Sequence, residues 1–209
     1  MGLDGERMAG SSEIGGLVRF GRWGGEDIEW RVLDVEPGRT LLITDKAIEC
    51  KQYHDTYEPI TWSDCSLRAW LNGEFLQEAF DPSEYAMILE VRVVNDDNPD
   101  FGIAGGPDTR DKVFCLSIDE ARIYLETMKA RICYPTSHAK ASGVWTNAAG
   151  ACDWWLRSPG GWATAAAEVD RDGAVCTTGE GVAGGLDGDD NIVAIETAVR
   201  PALWIRKDS

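Results

Sequence analysis

The chain has 209 residues, 44% of them hydrophobic, with nine Trp and a net charge of −16. It is long enough to bury one substantial core without disulfides and too apolar for a disordered tail protein. No apolar run approaches the roughly 18 residues that span a bilayer, and the acidic excess disfavours polyanionic partners, so membrane insertion and nucleic-acid binding are excluded. The opening Met1–Ser12 stretch has no apolar h-region of a secretory signal. The expectation is therefore a cytoplasmic chain, unless a leader is missing, with its six cysteines (50, 65, 115, 133, 152 and 176) mostly reduced and free of any Cys-x-x-Cys pair.

Residues 1–13 read as an unordered arm ahead of a single domain over residues 14–209. Leu17–Phe20, Ile28–Val35 and Thr40–Thr44 read as strands, the middle one setting Ile28, Trp30 and Val32 against Glu29, Arg31 and Leu33. Pro37-Gly38 supplies the turn between the last two. A helix is predicted over Ser63–Phe75, where Leu67, Trp70, Leu71 and Phe75 share a face, with Ser63 as cap and Asn72-Gly73 near its end.

Ala86–Val94 reads as a strand stopped by the Asn95–Pro99 turn, Phe101–Arg110 as a Gly/Pro-rich loop, and Lys112–Leu116 as a short buried strand. Ser117 followed three residues later by Glu120 is a capping box. It opens a second helix to about Met128, with Ala121, Tyr124, Leu125 and Met128 on one face. Beyond Cys133 the chain turns rich in Gly, Ala, Asp and Thr. Trp154–Ser158, Ala165–Val169 and Ala174–Thr177 read as short strands, separated by turns at Ser158–Gly161 and Asp170–Gly173, and Thr197–Arg206 reads as the closing strand. The order of elements points to an α+β domain.

Tests for chemistry give little. Cys50/His54 and Cys133/His138 are loosely spaced for zinc, with no tight cysteine pair to anchor them. Asp187, Asp189 and Asn191 fit the first places of a calcium loop. Ile192 then stands where Gly is needed and Ala198 where Glu is needed, so the EF-hand fails; a solvated acidic loop is expected, with a looser calcium site as the alternative. No Ser or Cys lies in a nucleophile motif, and the Gly-rich stretches at 21–25 and 102–106 lack the spacing of phosphate loops. The expectation is a non-enzymatic chain with no cofactor and no metal.

Trp154 and Trp155 are adjacent on a strand and so point to opposite faces, one into the core and one exposed or covered by a loop. Arg157 and Arg200 follow apolar residues and are expected to hold backbone carbonyls of the long loops. With Trp204 these residues form the structural frame.

The chain resembles a bacterial domain-of-unknown-function family. The resemblance is carried by Ile28–Asp34, Ser66–Asn72, Asp111–Ser117, Trp154–Gly160 and Val199–Ile205. The closing Trp-Trp-Leu-Arg-Ser-Pro and Arg-Pro-Ala-Leu-Trp frame is similar to that of C-type-lectin-like domains, including the variable proteins of diversity-generating retroelements. The resemblance implies a C-type-lectin-like fold with two helices, small antiparallel sheets and a loop-rich binding third.

Period-two alternation turns Ala167, Val169 and Val175 inward. It groups Trp162, Thr164, Glu168, Asp170, Asp172, Cys176, Thr177 and Glu180 on one exposed face. The leading expectation is a binding module that uses residues 160–196 to engage a protein or glycan. One alternative is an oxidase related to formylglycine-generating enzymes, using Cys133/Cys152 or Cys152/Cys176. The other is a structural module of a larger assembly.

Overall fold

Apolar residues alternate along Leu17–Trp23 (β1) and Glu26–Glu36 (β2), and the turn between them is Gly24-Gly25. Both glycines have positive φ, 56° and 83°, as a two-residue hairpin with the right twist requires. Arg39–Thr44 (β3) continues the meander antiparallel to β2. In this computed structural model residues 13–186, 192–193 and 197–207 are described. The predicted arm up to residue 12 and the acidic loop 187–191, with its calcium-like pattern, lie outside the described residues.

Two sheets organise the remainder. The first curls into a half-barrel in the order β1-β2-β3-β15-β5, where β5 is Ile88–Leu89 and β15 is Ala202–Arg206; Val113–Phe114 (β8) also pairs with β15. The second runs β11-β10-β9-β14-β4, from Val175–Gly181 through Ala165–Val169, Trp154–Pro159 and Ala198–Val199 to Glu49–Cys50. Pairing is antiparallel except between β14 and β9. Val91–Val93 (β6) pairs with Thr109–Asp111 (β7), and Gly185–Leu186 (β12) with Ile192–Val193 (β13).

The closing strand expected over Thr197–Arg206 is two strands in different sheets. Pro201 has no N–H to donate and interrupts the ladder, so Arg200-Pro201 becomes the crossing point between β14 and β15. Both sheets feed one hydrophobic core, in which Trp30, Trp62, Trp154, Trp155, Phe75 and Leu67 are fully buried.

The helices differ from expectation in number: among the described residues there are five segments, where two were predicted. Ser66–Trp70 (α1) runs unbroken through a π-type turn, Leu71–Phe75, into Leu76–Glu78 (α2). Its cap is Cys65 rather than Ser63, which lies instead in a 3-10 turn, Trp62–Asp64. At the π turn Asn72 accepts from Lys112 N and donates to the Val113 carbonyl, at 2.9 and 2.8 Å, stapling the helix to β8.

Pro82–Met87 (α3) takes the first two residues of the predicted Ala86–Val94 strand and a stretch before it with no expected element, because Asp81, Pro82 and Glu84 make a complete capping box with Pro at its first turn. Ile118–Tyr124 (α4) opens on the predicted Ser117/Glu120 box. It stops at Leu125, whose φ of −121° is not helical, and Thr127 caps a separate segment, Met128–Arg131 (α5). The last helix is Ser137–Ala141 (α6). Among the described residues no helix is long and apolar enough to cross a membrane.

Candidate functional site

The C-terminal third is held by buried polar anchors. Arg157 on β9 is 3% exposed. Its guanidinium donates to the carbonyls of Val94 and Cys115, each at 2.9 Å, and forms a two-armed pair with Glu120. Glu120 is also the capping carboxylate of α4, so one arginine ties a helix start, a loop and a strand together. Arg200 donates to the Thr44 carbonyl at 3.0 Å and lies 5.0 Å over the Trp154 ring.

Trp154 and Trp155 are both fully buried, so of the two expected placements for the second ring, exposed or covered, the structure has the covered one. Structure covers both faces of β9, and each indole N–H finds a carbonyl: Arg131 for Trp154 and Lys51 for Trp155. Trp204 is nearly buried beneath the Arg39 guanidinium, 4.1 Å from its ring.

Two anchors escape a reading of local sequence. Asp111, with its side chain wholly buried, accepts from Arg68 Nε at 2.7 Å, Trp62 Nε1 at 2.9 Å and Thr109 Oγ1 at 2.6 Å. Asn98, 1% exposed, donates to the carbonyls of Pro159, Gly160 and Thr177 while accepting from the amides of Asp100 and Phe101. It therefore fixes the 98–101 loop, the turn after β9 and β11 as one unit. A turn-forming Asn in a run of Asn and Asp carries no local mark of that role.

The eight residues expected on one face fall into two groups. A β-bulge between Ala166 and Glu168 breaks the period of two, and Ala165, Ala166 and Ala167 are all buried. Toward the β9–β10 turn lie Trp162, Thr164, Thr177 and Glu180. Thr164 Oγ1 is 3.4 Å from the Tyr57 hydroxyl and Thr177 Oγ1 donates to Asp100 at 2.6 Å. Phe101 and Tyr57 flank this end: a Cβ on Gly161 would stand 3.6 Å from the Phe101 ring, and one on Gly181 3.3 Å from the Tyr57 ring.

Tyr57, Phe101 and Trp162 are 47%, 48% and 47% exposed. Tyr57 and Phe101 were absent from the sequence-derived set. The available signal was an aromatic inside a polar or Gly/Pro-rich loop, where function concentrates.

At the other end, Asp170 accepts from the amides of Asp172 and Ala174 and closes the β10–β11 turn, with Asp172 exposed beside it. Cys176 Sγ is 3.9 Å from Asp170 and its thiol is pushed up to about 11 by burial and that carboxylate. The side chain of Glu168, half-buried between the ends, accepts no hydrogen bond from the described residues. Burial, then the charges of Asp153 and Glu180, push its carboxyl up to about 8, with Arg171 opposing. A perturbed carboxyl of this kind marks a candidate contact residue.

Gly179 shapes the same hairpin. Its φ is +69° and a Cβ there would stand 1.9 Å from the Ala166 carbonyl oxygen. Gly179→Ala is expected to destabilise the chain by about 2 kcal/mol or more, read as a fall in the urea midpoint; an unchanged midpoint would show that the hairpin tolerates the shift.

The other chemistry-bearing residues are spread apart. His54 sits between Ser66 Oγ, 3.0 Å from Nδ1, and Glu58, 3.2 Å from Nε2, and its Nδ1 also accepts the Ser66 amide, so the ring caps α1. His138 bonds Glu49 at 2.9 Å, and that carboxylate also takes Trp23 Nε1. The Cys/His set weighed for zinc therefore does not converge, and among the described residues no group of three or more His, Cys, Asp or Glu is placed to hold a metal. Cys133 and Cys152 face each other, whereas Cys176 lies beside Asp170. Two cavities, of about 290 and 510 Å³, border the β1–β2 hairpin at Trp23, and neither is lined by residues 160–181.

No curated protein and no solved structure matches the chain significantly. The model of a family described as a domain of unknown function, DUF6273, matches residues 37–207, and the chain belongs to that family.

Proposed function

We propose that this chain is a binding module rather than a catalyst, and that its docking surface is the aromatic rim of Trp162, Tyr57 and Phe101 together with the protonated carboxyl of Glu168 and the carboxylate of Glu180. The observation that carries the reading is the exposure of three aromatic rings from three separate loops, two of which Asn98 locks to β11. Rigid exposed aromatics add contact area at little entropic cost. An open rim suits a protein or glycan, whereas a small molecule needs a concave pocket.

A C-type-lectin-like scaffold, with the variable proteins of diversity-generating retroelements as its relatives, belongs to the same proposal. It is supported by the pairing of the closing strand β15 with the early β3 and by the loop-rich final third. A reverse transcriptase gene beside the coding sequence, with a near-copy of its 3′ end differing at adenines, would identify diversification of residues 160–196. Without these the surface is fixed.

The test is a glycan and cell-surface protein array probed with the wild type and with a Trp162→Ala/Tyr57→Ala variant. The variant is expected to lose tenfold or more in affinity for whatever the wild type binds. Equal binding by both would overturn the reading, provided the variant melts where the wild type does.

The adjacency of Cys133 and Cys152 favours a second reading, an oxidase related to formylglycine-generating enzymes. It is weakened by the full burial of both thiols, since a catalytic pair needs a cleft that substrate enters. Copper binding with thiol-dependent oxygen consumption would support it, and the lack of both would end it.

A further inference from the structure

Cys133 and Cys152 form an isolated antiparallel bridge, with the Cys152 amide donating to the Cys133 carbonyl at 3.0 Å and Cys152 Sγ lying 3.6 Å from the same oxygen. Facing residues of such a pair have Cα atoms about 4.5–5.5 Å apart, a spacing that a disulfide spans without backbone movement.

Their surroundings separate these thiols from the others. Burial opposes ionisation of Cys133, but the hydrogen bond with Cys152 and the Arg200 guanidinium overcome it and lower its pKa, while the same hydrogen bond pushes Cys152 up. Burial raises Cys65, Cys115 and Cys176 instead. A cavity of about 490 Å³ lies alongside, lined by Ile132 and Tyr134 on either side of Cys133, by Arg200, and by Lys46 and Lys129. It brings solvent to the residues that enclose the pair, and four cations, Arg31, Lys46, Lys129 and Arg200, line it against one carboxylate, Asp45, which Arg31 pairs.

We propose that Cys133 and Cys152 are a redox-active dithiol that a peroxide closes to a disulfide. The Cys133 thiolate attacks one peroxide oxygen, the O–O bond breaks, and hydroxide leaves and is protonated to water, leaving a sulfenic acid on Cys133. The Cys152 sulfur then attacks the Cys133 sulfur. The S–O bond breaks, and the hydroxyl departs as water with the Cys152 proton. The two thiols lose two electrons, and hydrogen peroxide gains them. The ring so closed, residues 133–152, carries α6 and His138 and fastens them to the start of β9. The inference does not depend on the docking surface.

The test uses the full chain. After treatment with hydrogen peroxide it is denatured in excess alkylating reagent and digested with trypsin, which leaves Cys133 on Ile132–Lys140 and Cys152 on Ala141–Arg157. The expected result is two fewer alkylated thiols, a covalent pair of those two peptides released by dithiothreitol, and a melting temperature raised by about 5–10 °C. A Cys152→Ser variant is expected to stop at the Cys133 sulfenic acid, captured by dimedone. Full alkylation of all six cysteines, a Cys65–Cys115 cross-link in place of this one, or over-oxidised Cys133 without a cross-link would overturn the proposal. Each of these is read on the wild type, so failure of the variant to fold leaves the test intact.

Discussion

Replacing Arg157 by Met is expected to cost about 3–5 kcal/mol, because it leaves the buried carbonyl of Cys115 and the part-buried carbonyl of Val94 without their donor and Glu120 without its cation. Methionine fills a comparable volume but donates nothing, so the loss reports the stranded polar groups rather than a cavity. In a chain of this length that is a fall in melting temperature of roughly 10 °C. Arg157→Lys keeps the charge but cannot span a helix start, a loop and a carboxylate at once, and should restore less than half of the loss. A cost below about 1 kcal/mol for Arg157→Met would show that water satisfies these groups and that Arg157 is not the anchor of the C-terminal third.

The second large effect is a dependence of stability on pH set by Glu168. Its carboxyl stands at about 8 in the folded chain against 4.5 for the free group. The native state therefore holds a proton between about pH 4.5 and 8 that the unfolded chain has released. Stability is highest at the acid end of that window, falls as pH rises through it, and levels off above it. Each decade of proton affinity is worth about 1.4 kcal/mol, and solvent at the exposed edge of the side chain reduces the whole to roughly 3 kcal/mol.

Glu168→Gln removes the charge and keeps the shape. Above pH 8 it should be more stable than the wild type by about that amount, roughly 8 °C in melting temperature, and near pH 4.5 the two should melt together. Melting curves across the window check both limbs. A variant no more stable than the wild type at the alkaline end would mean that Arg171 neutralises Glu168 after all.

What the sequence made legible follows from the range of the interactions involved. β1 to β3 could be read because their alternation and their Pro37-Gly38 turn lie within adjacent residues, and α4 because Ser117 and Glu120 carry its cap locally. The same signal stands at Asp81, Pro82 and Glu84, but no predicted element uses it, and the apolar run beginning at Ala86 draws the last two residues of α3 into a strand. Pro201 likewise marked a break in the last strand, yet only the pairing of β14 with β9 and of β15 with β3 tells that the two halves enter different sheets.

The candidate surface is less legible for the same reason. Trp162 could be named from its turn, but Tyr57 and Phe101 reach it from distant loops, and Asn98 ties the Phe101 loop to the turn after β9 and to β11 through carbonyls some 60 to 80 residues away. The alternation argument failed where a bulge displaced Glu168 relative to Ala166, a feature that no local pattern announces.

The most direct measurement of the docking surface is hydroxyl-radical footprinting of the chain alone and with the strongest binder from the array. Protection concentrated on Tyr57, Phe101 and Trp162, with the equally exposed Tyr134, Trp145 and Tyr85 modified as before, is the predicted result. Protection at Tyr134 or Trp145 with the rim rings unchanged would contradict the account and place the contact elsewhere.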